Sequence, residues 1–431
     1  MMKTNLNIAS LILLAATTLF TACKDDSDEN KGFDEPNGDI VSELTVEEHK
    51  KNLENEGIAF VSKMSKASDL ESYNVINTLF ELTEESEFTY STVLRRISNP
   101  TQNAHLKSSF SDDLGLSISD TFDEEAGIYE WSDSKADFIK VSDATDKISY
   151  SFKVDNETAI VLINNVNTKT VMNSDGSMSL EVPTSFNANL TLGTSVLINF
   201  TFTGEYYDNA TPKYLKEALN VEGFYVESVI DLKNKEVVKV DNKLEYNSDN
   251  IFAFGFAING NIDMDEIMDE ASDMDEDGNP SANQDIINKA NAYFQIGNIK
   301  VDGLVNAKEL IKYMSQNSNN GFNDEWTEED ATEEANKLNE YIQTYIRYAD
   351  SKAIFAKGEF FVNKEVYSWY NDYTQEEESE TYYNSELRVV YPDGSAVSSD
   401  IFESGFSDLI VDMNKMIVDM NNSYDLDLEE M

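Results

Sequence analysis
Residues 252–258 read Phe252-Ala253-Phe254-Gly255-Phe256-Ala257-Ile258. Large and small side chains alternate strictly. Successive side chains of an extended chain point to opposite sides. The stretch therefore predicts a β-strand with Phe252, Phe254, Phe256 and Ile258 on one face and Ala253, Gly255 and Ala257 on the other. A face so small admits close approach by another element. A helix packed on the sheet is the expected occupant and a ligand the alternative, since glycine inside a strand commonly marks such an approach.

The same period of two recurs upstream. Ile148, Tyr150, Phe152 and Val154 alternate with Ser149, Ser151 and Lys153. Val196, Ile198, Phe200 and Phe202 alternate with Asn199, Thr201 and Thr203. Asn173-Ser174-Asp175-Gly176, Leu192-Gly193 and Lys233-Asn234-Lys235 supply turn signals between such runs. Alternation of this kind marks strands with one buried and one wetter face. The connections are mostly too short for crossover helices, so the sheet should be an antiparallel meander. About ten strands between Tyr129 and Ile262 are enough to curl strongly or to approach a barrel.

Helical periodicity flanks this region. Thr45-Val46-Glu47-Glu48 reads as a capping box, followed by Leu53, Phe60, Val61 and Met64 at helical spacing. Leu70, Tyr73, Ile76, Leu79 and Phe80 form a second pattern, and Val93, Leu94 and Ile97 a third before Pro100. Downstream, helical patterns run through Ile267, Met268 and Ala271, then Ile286, Ile287, Ala290 and Phe294, then Leu304, Ala307, Leu310, Ile311 and Met314. Thr327 and Asp330 open another, with the stripe Ala331, Ala335, Leu338, Ile342 and Tyr345. Strands over Ala353–Tyr370 and Thr381–Tyr391 and a last helix through Phe406–Met420 complete the chain. The fold class expected is α+β: a large curved antiparallel β-meander or partial barrel flanked by helices from the N-terminal and C-terminal segments. The expected division is a signal peptide over 1–22, an acidic tether over 23–42, a helical segment over 43–125, the β domain over 126–262, a helical segment over 263–350, and a hairpin with C-terminal helix over 351–431.

Met1 to Ala22 has the parts of a secretory signal. Lys3 gives a positive start, and the apolar run Ile8–Phe20 is short of the roughly 20 residues a transmembrane helix needs. Small residues precede Cys23, the single cysteine. Leu19-Phe20-Thr21-Ala22-Cys23 resembles a bacterial lipobox, with Phe20 where Leu is usual. The resemblance implies cleavage before Cys23 and its lipidation, hence a membrane partner through the lipid. The run Lys24, Asp25, Asp26, Asp28 and Glu29 resembles the surface-export signal of Bacteroidetes lipoproteins. It implies the outer face of an outer membrane, with the periplasmic face as the alternative. Gly127-Ile128-Tyr129-Glu130-Trp131 and the meander behind it are similar to Bacteroidetes lipoproteins too, a likeness that carries over no catalytic residue.

The chain of 431 residues holds 82 acidic and 32 basic side chains, a net charge of −50. Like charge repels phosphate, which argues against nucleic acid as a partner and against a polybasic contact with anionic lipid. Twenty-three Phe and 21 Tyr suffice for a large core. Only His49 and His105 are histidines, so Cys–His catalysis and cysteine-based zinc sites have no residues to build them.

Two motifs carry chemistry. Asp273, Asp275 and Asp277 before Gly278 offer hard oxygen ligands as a calcium loop does, or form no more than a solvated acidic loop, the reading favoured for so short a pattern. Gln284 stands where a bidentate carboxylate belongs, so any Ca2+ binding should be weak; no other cofactor is expected. Trp369, Tyr370 and Tyr373, beside Tyr367, Tyr382 and Tyr383 and a Glu-rich turn, could stack on a sugar or simply pin the register of a hairpin. A glycosidase needs two carboxylates at set separation, and the sequence selects no pair. The function expected is binding of an apolar or glycan ligand. A carboxylate-based glycan-acting enzyme and a calcium-dependent structural or adhesion component are the alternatives. The strands around Phe200, Phe202, Phe252 and Phe254 should line any cavity, with no acid in their inward set.

Overall fold
The computed structural model describes residues 33, 35, 36, 38, 40–83, 118–172, 179–234, 236–260, 287–317, 327–371, 376–397 and 407–424. Within these, sixteen strands form one curved, open sheet. They are β1 (Gly127–Ser132), β2 (Asp137–Asp143), β3 (Lys147–Val154), β4 (Glu157–Met172), β5 (Ser179–Leu192), β6 (Ser195–Tyr206), β7 (Pro212–Val221) and β8 (Phe224–Asp231). β9 (Val237–Tyr246), β10 (Asp249–Gly260), β11 (Ile287–Ile296), β12 (Ile299–Val305), β13 (Ile342–Tyr348), β14 (Ile354–Asn371), β15 (Glu376–Val390) and β16 (Ala396–Val397) follow.

From β3 onward each strand lies beside its neighbour in sequence, antiparallel, as the short connections require. Glu222-Gly223, with φ of 46° and 97°, and Asn247-Ser248, with φ of 51° and 72°, turn the β7–β8 and β9–β10 hairpins. Positive φ at both central residues matches the right-handed twist of the strands. The expected pure meander fails at its start. β1 sits between β2 and β3 and runs parallel to β3, Gly127 opposite Ile148.

The expected helical segment over 263–350 is also corrected. Ile287–Ile296 and Ile299–Val305 are strands, and so is Ile342–Tyr348. Ile287, Ala290 and Phe294 fit a helical stripe, but Ala290, Ala292, Phe294 and Ile296 also repeat every second residue. Short apolar runs are ambiguous between the two periods. The exposed edge of β10 decides, pairing Phe254 with Phe294 and Phe252 with Ile296. The patterns over Val93–Ile97 and Ile267–Ala271 lie outside the described residues.

The helices are α1 (Val46–Met64), α2 (Glu71–Thr83), α3 (Ile118–Glu125), α4 (Ala307–Asn317), α5 (Glu328–Tyr341) and α6 (Ser407–Tyr424). Both expected capping boxes form. Thr45 Oγ1 accepts from the Glu48 amide at 3.3 Å while Glu48 Oε2 accepts from the Thr45 amide at 2.8 Å. Thr327 and Asp330 do the same at 3.2 and 2.9 Å. Ile342, however, ends α5 and begins β13, so only the first part of its predicted stripe is helical.

These helices pack on one face of the sheet. Val75 of α2 and Ile118 and Phe122 of α3 join Ile148, Phe152, Ile163, Phe186 and Phe202 in the largest core cluster. Burying each such side chain contributes about 1.5–3 kcal/mol. Phe60 and Met64 of α1, with Ala67 and Leu70 of the 3-10 turn Ser65–Asp69, cover Val221, Phe224 and Ile251. The start of α1 lies on the far strands: His49 stacks on Phe355 at 4.7 Å and its Nδ1 is 2.9 Å from the Tyr348 hydroxyl. Asn339 of α5 accepts from the Phe360 amide and donates to its carbonyl, at 2.7 and 2.8 Å. α6 rests on α1, where Leu409 occupies the space above Gly57.

Among the described residues no helix covers the small face of β10. A Cβ at Gly255 would stand 2.6 Å from the Val240 carbonyl oxygen and 2.7 Å from Cζ of Phe33. The occupant is thus an aromatic ring from the expected tether.

Candidate functional site
Directly opposed residues of antiparallel strands share a face, their Cβ atoms roughly 5 Å apart. On the helix-bearing face one such row crosses ten strands without a break. It runs Phe186, Phe202, Glu217, Ser228, Asn242, Phe254, Phe294, Val301, Ile346 and Ala356. Aromatic rings stand on both sides of three consecutive polar residues, and the adjacent rows are apolar. Phe200, Leu219, Val226, Leu244 and Phe252 flank one side; Leu215, Ile230, Val240 and Phe256 flank the other.

A polar group among hydrocarbon needs a partner. Ser228 Oγ donates to Asn242 Oδ1 at 3.0 Å, and both residues are buried, Asn242 being 7 % exposed. Among the described residues the Nδ2 of Asn242 has no partner. Glu217 is half-buried, and among the described residues no cation or donor pairs with it. Desolvation pushes its carboxyl up to about 7. Tyr206 is pushed up as well, by burial first and by the negative charge of Glu217 second. The inward sets of β6 and β10 hold no acid, as expected, but the intervening strand β7 brings one to the same face, Glu217, in register with Phe202. A second carboxyl facing it is not found among the described residues.

Beside Asn242 the face opens. Phe252 packs against Phe254 at 5.3 Å and against Phe294 edge-on at 5.2 Å and 70°. Phe256 and Phe294 are 39 % and 44 % exposed. This shelf offers ring surface to a bound molecule, and beneath the surface beside it lie a buried, unpartnered amide donor and a carboxyl that changes charge near neutrality. Such a combination of apolar lining and few polar groups is what small-molecule sites use, and perturbed carboxyls gather at them.

The hairpin β14–β15 holds the predicted aromatic set, divided. β13 pairs with β14 only as far as Gly358, so from Glu359 outward the two strands pair with each other alone. Trp369 lies on one face with Tyr367 and Tyr382, the latter two meeting edge-on at 5.7 Å. Tyr370 lies on the opposite face, across from Glu377. All four rings are exposed. Tyr373 lies outside the described residues, as do Cys23, Lys24, Asp25, Asp26, Asp28, Glu29, Asp273, Asp275 and Asp277. Comparison with family models, with curated proteins and with solved structures finds no match for the chain.

Proposed function
We propose that the protein is an outer-membrane-anchored, surface-exposed lipoprotein that binds a small ligand with an apolar body and one hydrogen-bonding end. The anchor reading rests on the lipobox-like Cys23 and the acidic run behind it. The binding reading rests on one observation: Asn242 Nδ2, buried and unpartnered among the described residues, in the same row as the exposed ring of Phe294 and one row from that of Phe256. An unsatisfied buried donor costs about 1–3 kcal/mol, and a ligand carbonyl or hydroxyl would remove that cost. An apolar ligand suits the shelf better than a glycan, because its rings are Phe and carry no polar edge. Weak Ca2+ binding at Asp273, Asp275 and Asp277 belongs to the same proposal.

The test uses the neutral fluorophore N-phenyl-1-naphthylamine and the protein lacking residues 1–22, with Cys23→Ser. Saturable enhancement is expected, weakened in Phe294→Ala, whose exposed side chain holds up no core. Linear, non-saturating enhancement, or saturation untouched by Phe294→Ala and Asn242→Leu together, overturns the reading.

A further inference from the structure
The segment between Cys23 and α1 is not a free tether along its whole length. Phe33 is seated on Gly255 on the face opposite the helices. Tyr293 meets its ring edge-on at 4.8 Å and 86°, Lys239 Nζ lies 4.9 Å from its centroid, and Asn291 Nδ2 donates to its carbonyl oxygen at 3.1 Å. Further on, the Ser42 amide donates to the Ile354 carbonyl and the Ile354 amide to the Ile40 carbonyl, both at 2.8 Å, so Val41 bridges to the start of β14. The strap is pinned at both ends.

The strands that carry the strap also hold a set of acids matched by cations, beside the separate ion pairs within the helices. Lys216 meets Glu227 at 2.6 Å and Lys243 meets Glu245 at 3.1 Å. Lys213 and Lys233 both reach Glu205, at 3.9 and 3.4 Å, and Arg347 grips Asp302 through two bonds of 2.6 and 3.2 Å. Tyr293 and Tyr225 donate to Asp241 and Glu227.

We propose that the strap holds this face toward the lipid bilayer and turns the helix-bearing face, with its aromatic shelf, away from it. The proposal rests on the lipid-anchor reading above. Two independent arguments carry it. The first is reach. Nine residues lie between Cys23 and Phe33, ten Cα–Cα steps, a reach of about 35 Å if fully extended and about 17 Å for a random coil of that length. Anchored at Phe33, the strap face is the one drawn to the membrane. Were the chain free up to Thr45, the span would be about 26 Å and the exit would lie at the helix layer. The second argument is charge. A surface of anionic lipid repels a molecule of net charge −50 within about a Debye length. The face whose carboxylates are paired with lysines is the face that can come closest.

Cys23 is the single cysteine and its sulfur is taken up by lipid in this reading, so one introduced cysteine can be labelled alone. Lys289→Cys marks the strap face, where Lys289 is exposed beside Asn291; Asn336→Cys marks the exposed side of α5. Each full-length lipidated variant is labelled with a maleimide fluorophore and reconstituted in vesicles of phosphatidylcholine and phosphatidylglycerol carrying a headgroup quencher. Stronger quenching at Lys289→Cys is expected, and Phe33→Ser should abolish the difference. A Gly-Ser insertion between Glu29 and Phe33, which leaves the strap contacts untouched, should reduce it. Equal quenching at the two sites in protein that floats with the vesicles overturns the proposal, and so does a difference that survives both Phe33→Ser and the insertion. Protein that does not float overturns the anchor reading itself.

Discussion

Single residues decide what the sheet can do. Glu217 lies in Leu215-Lys216-Glu217-Ala218-Leu219, where two adjacent charges read as a wet strand face. Only its register opposite Phe202 reveals that it points among apolar side chains. Its carboxyl, held near 7 by desolvation against an ordinary value of 4.5, stays protonated in the fold where the unfolded chain has already ionised. The folded state therefore loses stability as pH rises from about 4.5 to 7, by as much as roughly 3 kcal/mol, and is level above that. Glu217→Gln does not ionise. It should match the parent in urea unfolding at pH 4.5 and exceed it by about 1–3 kcal/mol at pH 8. A stability difference equal at the two pH values would show that water reaches the carboxyl freely. His49 titrates in the opposite sense: burial lowers its value, so the stability of its neutral, stacked form is lost as pH falls below about 6.5. The acidic run 273–277 and the segment around Cys23 can be read as motifs because they are local in sequence, and both lie outside the described residues. The polar row cannot, because a row across strands has no signature along the chain.

At the scale of elements, strand alternation was legible wherever large and small or apolar and polar side chains contrasted, as in β3, β6 and β10. It was hidden in β11 to β13, where Ile and Ala fit both periods and the partner strand decides. Helix starts were legible at Thr45 and Thr327 through their caps, yet the end of α5 was not, since Ile342 continues the stripe while leaving the helix. The β14–β15 hairpin makes a prediction of its own. Beyond Glu359 it pairs with no other described strand, and two contacts with α5, Asn339 with Phe360 and Ser385 with Glu334, lie near its base. Replacing residues 366–381 with Asn-Gly would join the paired residues Glu365 and Tyr382 by a two-residue turn of the favoured kind. The melting temperature of this variant should stay within a few degrees of the parent, about 1 kcal/mol or less. A large fall would mean that the ribbon packs on something essential to the fold. If the ring faces at Tyr367, Trp369 and Tyr382 bind a ligand, the shortened protein keeps its stability and loses that ligand.

At the scale of the whole molecule, charge sets the behaviour. A chain of net charge −50 resists compaction by self-repulsion, so cations should stabilise it by two routes. Screening acts on every carboxylate alike, whereas a site at Asp273, Asp275 and Asp277 would select Ca2+. With one carboxylate ligand short, its affinity should fall near the 10⁻⁴–10⁻³ M typical of extracellular modules, roughly speaking. Millimolar Ca2+ should raise the melting temperature more than the same ionic strength of NaCl, and Asp275→Ala should erase the excess. An excess that persists in Asp275→Ala would assign the effect to diffuse acidity.

α1 touches strands that are far apart in the chain. Phe60 and Met64 rest near β10, while His49 meets Tyr348, 299 residues away. The sheet itself is a succession of local hairpins, each able to form as soon as its two strands exist. Closing so long a loop is slow and comes late. A chain emerging from its N-terminus must therefore hold its first helix unseated until nearly all of it has been delivered. During that interval the apolar surface of β10 to β14 is uncovered, and docking of α1 is the step that ends its exposure to aggregation.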